Sequence, residues 1–305
     1  EAGIPEEILH LAIGSGRIVG EQLIKHPQTA GVAFTGSTDT AFHINQALAA
    51  KRGPIIPFIA ETGGQNCMVA DSSALPEQLV TDIIASAFQS AGQRCSALRV
   101  LFLQDDIADK TLEMLKGAMQ ELRIDDPAYL STDIGPVIDK ASHQTLEDHI
   151  AFLNQNGTLI YRVEMNHGLS GSFFAPAAYE IPSLALLEKE VFGPVLHVIR
   201  YKASELSKVV DQINATGFGL TFGVHSRINA TAEYLRKHIH AGNMYVNRNM
   251  IGAVVGVQPF GGEGLSGTGP KAGGPYTLFR YACERTYTVN TTAIGGNTSL
   301  VMMGE

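Results

Sequence analysis

The chain of 305 residues has little cysteine, no long apolar run and a deficit of basic charge, and each shortage removes a class of protein. Its three cysteines, Cys67, Cys95 and Cys283, form no CxxC pair and no disulfide framework. That usage excludes a small secreted scaffold and fits a reducing cytoplasm, where a lone thiol stays nucleophilic. No stretch approaches the roughly 18 uninterrupted apolar residues of a membrane span, so none is expected. With 22 basic against 30 acidic side chains, a net charge of −8, this segment carries no nucleic-acid footprint. The ten histidines include no HExxH, and His238 and His240 fall on different faces of one helix, so no metal site is expected. Repeats and low-complexity blocks are absent too. The chain starts at Glu1 without an initiator Met or a charged-then-apolar leader, and a fragment of a longer polypeptide is the expectation.

A chain of this length buries a large core and is expected to form two domains rather than one. Strand-like and helix-like segments alternate, the pattern of an α/β fold with largely parallel sheets. Residues 31–34 read as a buried strand running into Thr35-Gly36-Ser37, where Ser37 or Thr38 caps a helix to about residue 51. Further strands are expected at 55–60, 67–70, 97–103, 195–201, 222–225 and 244–246. Helices are expected at 76–91, 105–122, 140–156, 204–214 and 229–240. Asp105 reads as a helix cap, Asp125-Asp126 as a solvated helix end, and Cys67 and Cys283 as packing. Residues 256–275 hold eight glycines and three prolines and sustain neither period. Residues 286–293, rich in β-branched side chains, read as an edge strand able to pair with another subunit.

Two elements carry chemistry. Cys95 lies in Ser90-Ala91-Gly92-Gln93-Arg94-Cys95-Ser96, and Glu61 precedes Thr62-Gly63-Gly64-Gln65 after an apolar strand. A thiolate attacks carbonyls, and a carboxylate beside a flexible turn generates it or later activates water. A free cysteine is most often a small buried hydrophobe and a lone Glu a surface acid. The polar neighbours Gln93, Arg94 and Ser96 favour the reactive reading, and an inward-pointing Arg94 would lower the thiol pKa. The glycines of the 14–20 stretch permit close approach to a pyrophosphate, although the spacing is not GxGxxG and a plain turn is commoner. Thr35-Gly36-Ser37 has the same character, with an ordinary N-cap as its plainer reading.

The ordered series Phe34-Thr35-Gly36-Ser37, Glu61-Thr62-Gly63-Gly64, Gly92-Gln93-Arg94-Cys95, Glu190-Val191-Phe192-Gly193-Pro194 and Pro259-Phe260-Gly261-Gly262 resembles the aldehyde dehydrogenase superfamily over nearly the whole chain. The resemblance implies an aldehyde dehydrogenase-like α/β fold with an incomplete Rossmann-type NAD domain. Residues 1–60 would be the C-terminal half of that domain and 61–258 the α/β catalytic domain carrying the thiol. Residues 259–305 would supply a substrate-anchor loop, a return to the NAD domain and a C-terminal edge strand for oligomerisation. Cys95 would attack the aldehyde, its N–H would serve half of an oxyanion hole, and Glu61 would activate the hydrolytic water. Thr35, Gly36 and Ser37 would lie against the NAD diphosphate with Gly16 and Gly20 nearby. Glu190 would hold the nicotinamide ribose, and Phe192 would pack beside the nicotinamide.

Tyr245-Val246-Asn247-Arg248-Asn249, the 258–275 segment and Asn290-Thr291-Thr292-Ala293-Ile294-Gly295-Gly296-Asn297 resemble the glutamate-semialdehyde (pyrroline-5-carboxylate) dehydrogenase branch. They are more similar still to the C-terminal part of the bacterial bifunctional proline-utilization family. This implies L-glutamate γ-semialdehyde as the small-molecule substrate, oxidised to L-glutamate in proline catabolism. Its amino-acid end would be held by Ser96 and by backbone N–H groups at Gly273 and Gly274, a nest that cradles a carboxylate, although a tight turn is the plainer reading of Gly273-Gly274. It further implies a homo-oligomer and FAD in a proline dehydrogenase domain upstream. The family's oxyanion Asn and ribose-contacting Lys would precede Glu1, so the fragment alone is expected to be inactive. An aldehyde dehydrogenase for another aldehyde and a non-catalytic assembly fragment are the alternatives.

Overall fold

A computed structural model describes residues 3–165, 168–254, 256–290 and 302–303. The apolar runs of the sequence become its sheets. In chain order the elements are α1 (Glu21–Lys25), β1 (Val32–Thr35), α2 (Thr38–Ala50), β2 (Phe58–Glu61), β3 (Cys67–Ala70), α3 (Pro76–Phe88), β4 (Val100–Gln104), α4 (Asp105–Gln120) and α5 (Lys140–Asn156). They continue with β5 (Thr158–Arg162), β6 (Ala177–Glu180), β7 (Val195–Tyr201), α6 (Leu206–Ala215), β8 (Phe218–Gly219), β9 (Thr221–His225), α7 (Asn229–His238), β10 (Asn243–Val246) and β11 (Glu263–Gly264).

Strands β3 and β4 are buried along their whole length, as central strands of a parallel sheet covered on both faces must be. They sit in a seven-stranded sheet ordered β10-β9-β3-β4-β7-β6-β5. Every pair in it is parallel except β5 with β6, which is antiparallel and carries an irregularity between Leu159 and Tyr161. Helix α4 buries Ala108, Thr111, Leu112, Leu115 and Met119, one stripe at helical spacing, and puts Asp105 and Asp106 at the positive end of its dipole. Helix α3 starts with Pro76 and buries Leu79, Val80, Ile83 and Ala87. Leu101 of β4 is fully buried, so Leu101→Ala removes about 2–5 kcal/mol from this core.

Apart from this sheet, β1 and β2 form a parallel pair, with Thr35 opposite Glu61. The Gly-rich segment returns along β2: Thr268 N–H donates to Ala60 O (2.9 Å) and Thr62 N–H to Ser266 O (2.9 Å). A short antiparallel pair joins β11 to β8. Among the described residues no helix is long and apolar enough to cross a membrane.

Most expected elements are present, and the differences have physical causes. The strand at β1 is half exposed rather than buried, and among the described residues it pairs only with β2. The helix expected to reach residue 91 stops at Phe88, because Gln89 leaves the helical region and Ser90 and Ala91 turn left-handed. The strand expected from residue 55 begins at Phe58, and Ile55 lies open to solvent. Helix α7 ends at His238, short of 240. Asp105 is the first residue of α4 and not its cap, which is Gln104. Asp125 and Asp126 form a turn instead of a helix end, Asp126 Oδ1 accepting from Ala128 N–H. Cys67 packs as expected, whereas Cys283 is exposed in the C-terminal segment. Strands β5 and β6 were not anticipated. Of the edge strand expected at 286–293, residues 286–290 form no strand and 291–293 lie outside the described residues.

Candidate active site

The C-terminal ends of β1 and β2 face the N-terminal edge of the seven-stranded sheet, and a cavity of about 970 Å³ opens between them. Its wall includes Thr35, Gly36, Ser37, Glu61, Cys95, Ser96, Glu190 and Phe192. Eight residues proposed from the sequence thus meet in one space. Gly16 and Gly20 bound a five-residue π-helical turn ahead of α1 and are not part of this wall. Nor are Gly273 and Gly274, and the Gly274 N–H donates to Lys271 O (3.1 Å) in a turn.

Cys95 is delivered by a forced reversal. Ser90, Ala91 and Gly92 are left-handed in succession (φ 55°, 52° and 64°), and the two non-glycines cost roughly 1 kcal/mol each. A Cβ on Gly92 would run into the Gly193 carbonyl, so only glycine fits. Buried donors then take up the carbonyls that follow. Asn66 Nδ2 donates to Cys95 O (2.6 Å) and Ala97 O (2.9 Å), and Thr221 Oγ1 donates to Ser96 O (3.2 Å). Gln93 ties the same turn to Pro136 and Ile138. With the carbonyls held in the sheet edge, the N–H groups of Cys95 and Ser96 are left on the side of the thiol and favour its anion.

Burial nevertheless pushes the Cys95 thiol above its ordinary range, and the Glu190 charge adds to this. Arg94 does not point inward to lower it. Its side chain is exposed, with Nε donating to Ser90 Oγ (3.0 Å). The thiol therefore needs a base.

Glu61 is suited to that task. Burial raises its carboxyl to about 7, opposed by the Gly262 N–H on Oε2 (2.9 Å) and by the Lys271 charge. Among the described residues Oε1 has no hydrogen-bond partner, so one oxygen remains to take a proton. A general base works best with a pKa near the working pH.

Glu190 and Phe192 enter on the loop between Leu187 and Pro194. Gln65 Nε2 holds that loop at Leu187 O (3.2 Å) and Lys189 O (2.9 Å). Glu190 accepts from the Gly64 N–H at Oε2 (3.2 Å) and from Arg99 at Oε1 (2.9 Å). Burial raises its carboxyl, and Arg99 beside it opposes the rise. The Phe192 ring stays 46% exposed although large and apolar, an open flat face on the cavity wall. At the start of α2 the Thr38 and Asp39 N–H groups have no partner among the described residues, while Ser37 Oγ caps the helix by accepting from the Thr40 N–H (3.2 Å). Helix-end donors, a carboxylate and an open aromatic face fit a dinucleotide, as does the size of the cavity.

Sequence reasoning missed Arg99, Asn66, Gln65 and Thr221. Arg99 left a signal, a guanidinium inside the apolar run Ala97-Leu98-Arg99-Val100-Leu101. The other three are short polar residues whose partners lie 29 to 155 positions away.

Fold and site together define an α/β protein that brings a thiol and a raised carboxylate into one cavity. The chain belongs to the aldehyde dehydrogenase family, whose profile it matches over residues 1–287. It is 53% identical over 294 residues to bifunctional protein PutA of Escherichia coli, covering 93% of this chain and 22% of that protein. It is 37% identical over 292 residues to 1-pyrroline-5-carboxylate dehydrogenase of Geobacillus thermodenitrificans, covering 94% of this chain and 56% of the relative. Among solved structures, bifunctional proline utilization A superposes with a TM-score of 0.92 at 55% identity, over 96% of this chain and 30% of that one. A Thermus 1-pyrroline-5-carboxylate dehydrogenase with bound NAD superposes with a TM-score of 0.83 at 33% identity, over 88% of this chain and 52% of its own. The chain spans less than a quarter of the Escherichia coli protein and little more than half of the Geobacillus dehydrogenase.

Proposed function

We propose that this chain carries the thiol and carboxylate of an NAD-dependent dehydrogenase that oxidises L-glutamate γ-semialdehyde to L-glutamate. The observation that carries the reading is the single cavity joining Cys95 and Glu61 to Thr35, Gly36, Ser37, Glu190 and Phe192. The names of the relatives supply the substrate class.

Glu61, with one free carboxylate oxygen, takes the proton of the Cys95 thiol, and the sulfur bonds to the aldehyde carbon. The carbonyl oxygen becomes an oxyanion beside the Cys95 N–H, a contact of a kind worth about 3–4 kcal/mol in a transition state. NAD, when bound, supplies the hydride acceptor that turns this adduct into a thioester. Glu61 passes the thiol proton to solvent and then removes a proton from water, the hydroxyl oxygen bonds to the acyl carbon, and the carbon–sulfur bond breaks to release the acid and the Cys95 thiolate. The start of α2 would hold the diphosphate, Glu190 the ribose hydroxyls and Phe192 the nicotinamide face. Gly16 and Gly20 would belong to the nucleotide side through α1. Ser96, Gly273 and Gly274 would hold the amino-acid end of the substrate. The parent polypeptide is proposed to be a bifunctional homo-oligomer with an FAD-dependent proline dehydrogenase domain upstream.

A substrate panel on the full-length protein tests the reading through NAD reduction. L-glutamate γ-semialdehyde should exceed simple alkyl aldehydes in kcat/KM by about 10²-fold or more, the margin expected when polar anchors lose their partner. Preference for an alkyl aldehyde would refute the substrate assignment.

A further inference from the structure

We infer that Arg99 is a positioning residue that couples the grip on the nucleotide to the thiol loop. Its guanidinium is fully buried and all five N–H groups are engaged. Nη1 donates to Gly92 O (2.7 Å) and Gly193 O (3.1 Å), and Nη2 to Arg94 O (3.2 Å) and Glu190 Oε1 (2.9 Å). Nε donates again to Glu190 Oε1 (3.2 Å), and the Phe192 ring lies 5.1 Å from the guanidinium carbon. Two of these partners belong to the turn that presents Cys95. The other three, Glu190, Phe192 and Gly193, belong to the loop assigned to the nucleotide. A planar fork with fixed donor directions transmits a shift of one loop to the other, which a flexible ammonium does not.

The Arg99 backbone is equally constrained. Its N–H donates to Asn66 O (3.0 Å), and its carbonyl accepts from the His197 N–H (3.0 Å). The cation therefore has a fixed base immediately ahead of β4, bonded on both sides of its backbone. The identity of the nucleotide rests on the proposed function. The linkage between the Glu190 carboxylate and the thiol turn does not.

The test uses the full-length protein as wild type, Glu190→Gln, Arg99→Lys and the double variant. Alkylation of Cys95 by iodoacetamide is followed by peptide mass across pH, and the plateau rate of the thiolate is read. The plateau is chosen because the Glu190 charge acts directly on thiol ionisation, an effect that vanishes once the thiol is fully ionised. Each single variant should change the plateau by about tenfold, and the double should match Arg99→Lys, as expected for groups acting through one contact. An equal effect of Glu190→Gln in both backgrounds overturns the inference. So does an Arg99→Lys plateau at the wild-type value with only a lowered melting temperature, the result of a purely structural role. If Arg99→Lys does not fold, Glu190→Asp withdraws the carboxylate from the fork, and an unchanged plateau there also overturns it. NAD titration of the same set should show non-additive weakening of about tenfold, and additive losses count against the coupling. Failure of the wild type to bind NAD removes the proposed function while the alkylation cycle still reads the linkage.

Discussion

The thiol turn and the end of the cavity proposed for the nucleotide are built on opposite terms. Around Cys95 the carbonyls of Gly92, Cys95, Ser96 and Ala97 are bonded by buried side chains, backed by a sheet whose central strands are fully covered. Across the cavity, β1 is half exposed, α2 buries only Ala41 and Ile44, and α1 buries only Ile24. The contrast shows where precision is needed. A nucleophile and its oxyanion donor must be held within fractions of an ångström. A diphosphate at a helix start is bound by several donors and by charge, which tolerate more play.

The largest test of this contrast is Cys95→Ala in the full-length protein, which should lower NAD reduction with the semialdehyde by at least about 10⁴-fold. Activity kept in that variant would end the covalent mechanism. Glu61→Gln comes next, with acyl release slowed about 10²- to 10³-fold in burst kinetics. In wild type this step should rise with pH through about 7, the value to which burial brings Glu61, and in the variant it should be flat there. The same group makes a signed prediction for stability. Between its ordinary 4.5 and about 7 the folded chain keeps a proton the unfolded chain has released. Its contribution is complete below 4.5 and lost as pH rises through 7, and Glu61→Gln should remove that fall from a denaturation series.

Smaller effects sharpen the comparison itself. Gly92→Ala, forced into φ +64° against the Gly193 carbonyl, should cost roughly 2 kcal/mol or more in denaturant unfolding. Gly16→Ala is the counterpart in the turn ahead of α1, outside the cavity wall, where a new Cβ meets nothing within 4 Å. It should change stability by less than about 0.5 kcal/mol. Equal costs at the two glycines would erase the distinction drawn between the regions.

Much of this was legible in the chain, for reasons tied to range. Helix α5 and strands β3 and β7 fall where their patterns put them, because apolar periodicity and a Gly stop are local signals. Thr35, Gly36, Ser37, Glu61, Cys95, Ser96, Glu190 and Phe192 were found as ordered motifs, and one cavity gathers them. The direction of the Cys95 shift was not legible. It depends on burial and on Glu190, 95 positions away in the chain, while the neighbour Arg94 faces solvent. The burial of β1 was misread because an apolar tetrapeptide does not reveal how many strands will flank it.

Residue order alone determined the family, the alternation of strands and helices, and the identity of the thiol and the carboxylate, since these reside in local patterns and side-chain chemistry. Tertiary structure decided that burial raises the Glu61 carboxyl to about 7 and that one of its oxygens has no partner among the described residues. It also decided that Asn66 takes up the Cys95 carbonyl and that Arg99 spans both loops. Those properties come from desolvation and from hydrogen bonds between segments far apart in sequence, which exist only once the chain has closed on itself.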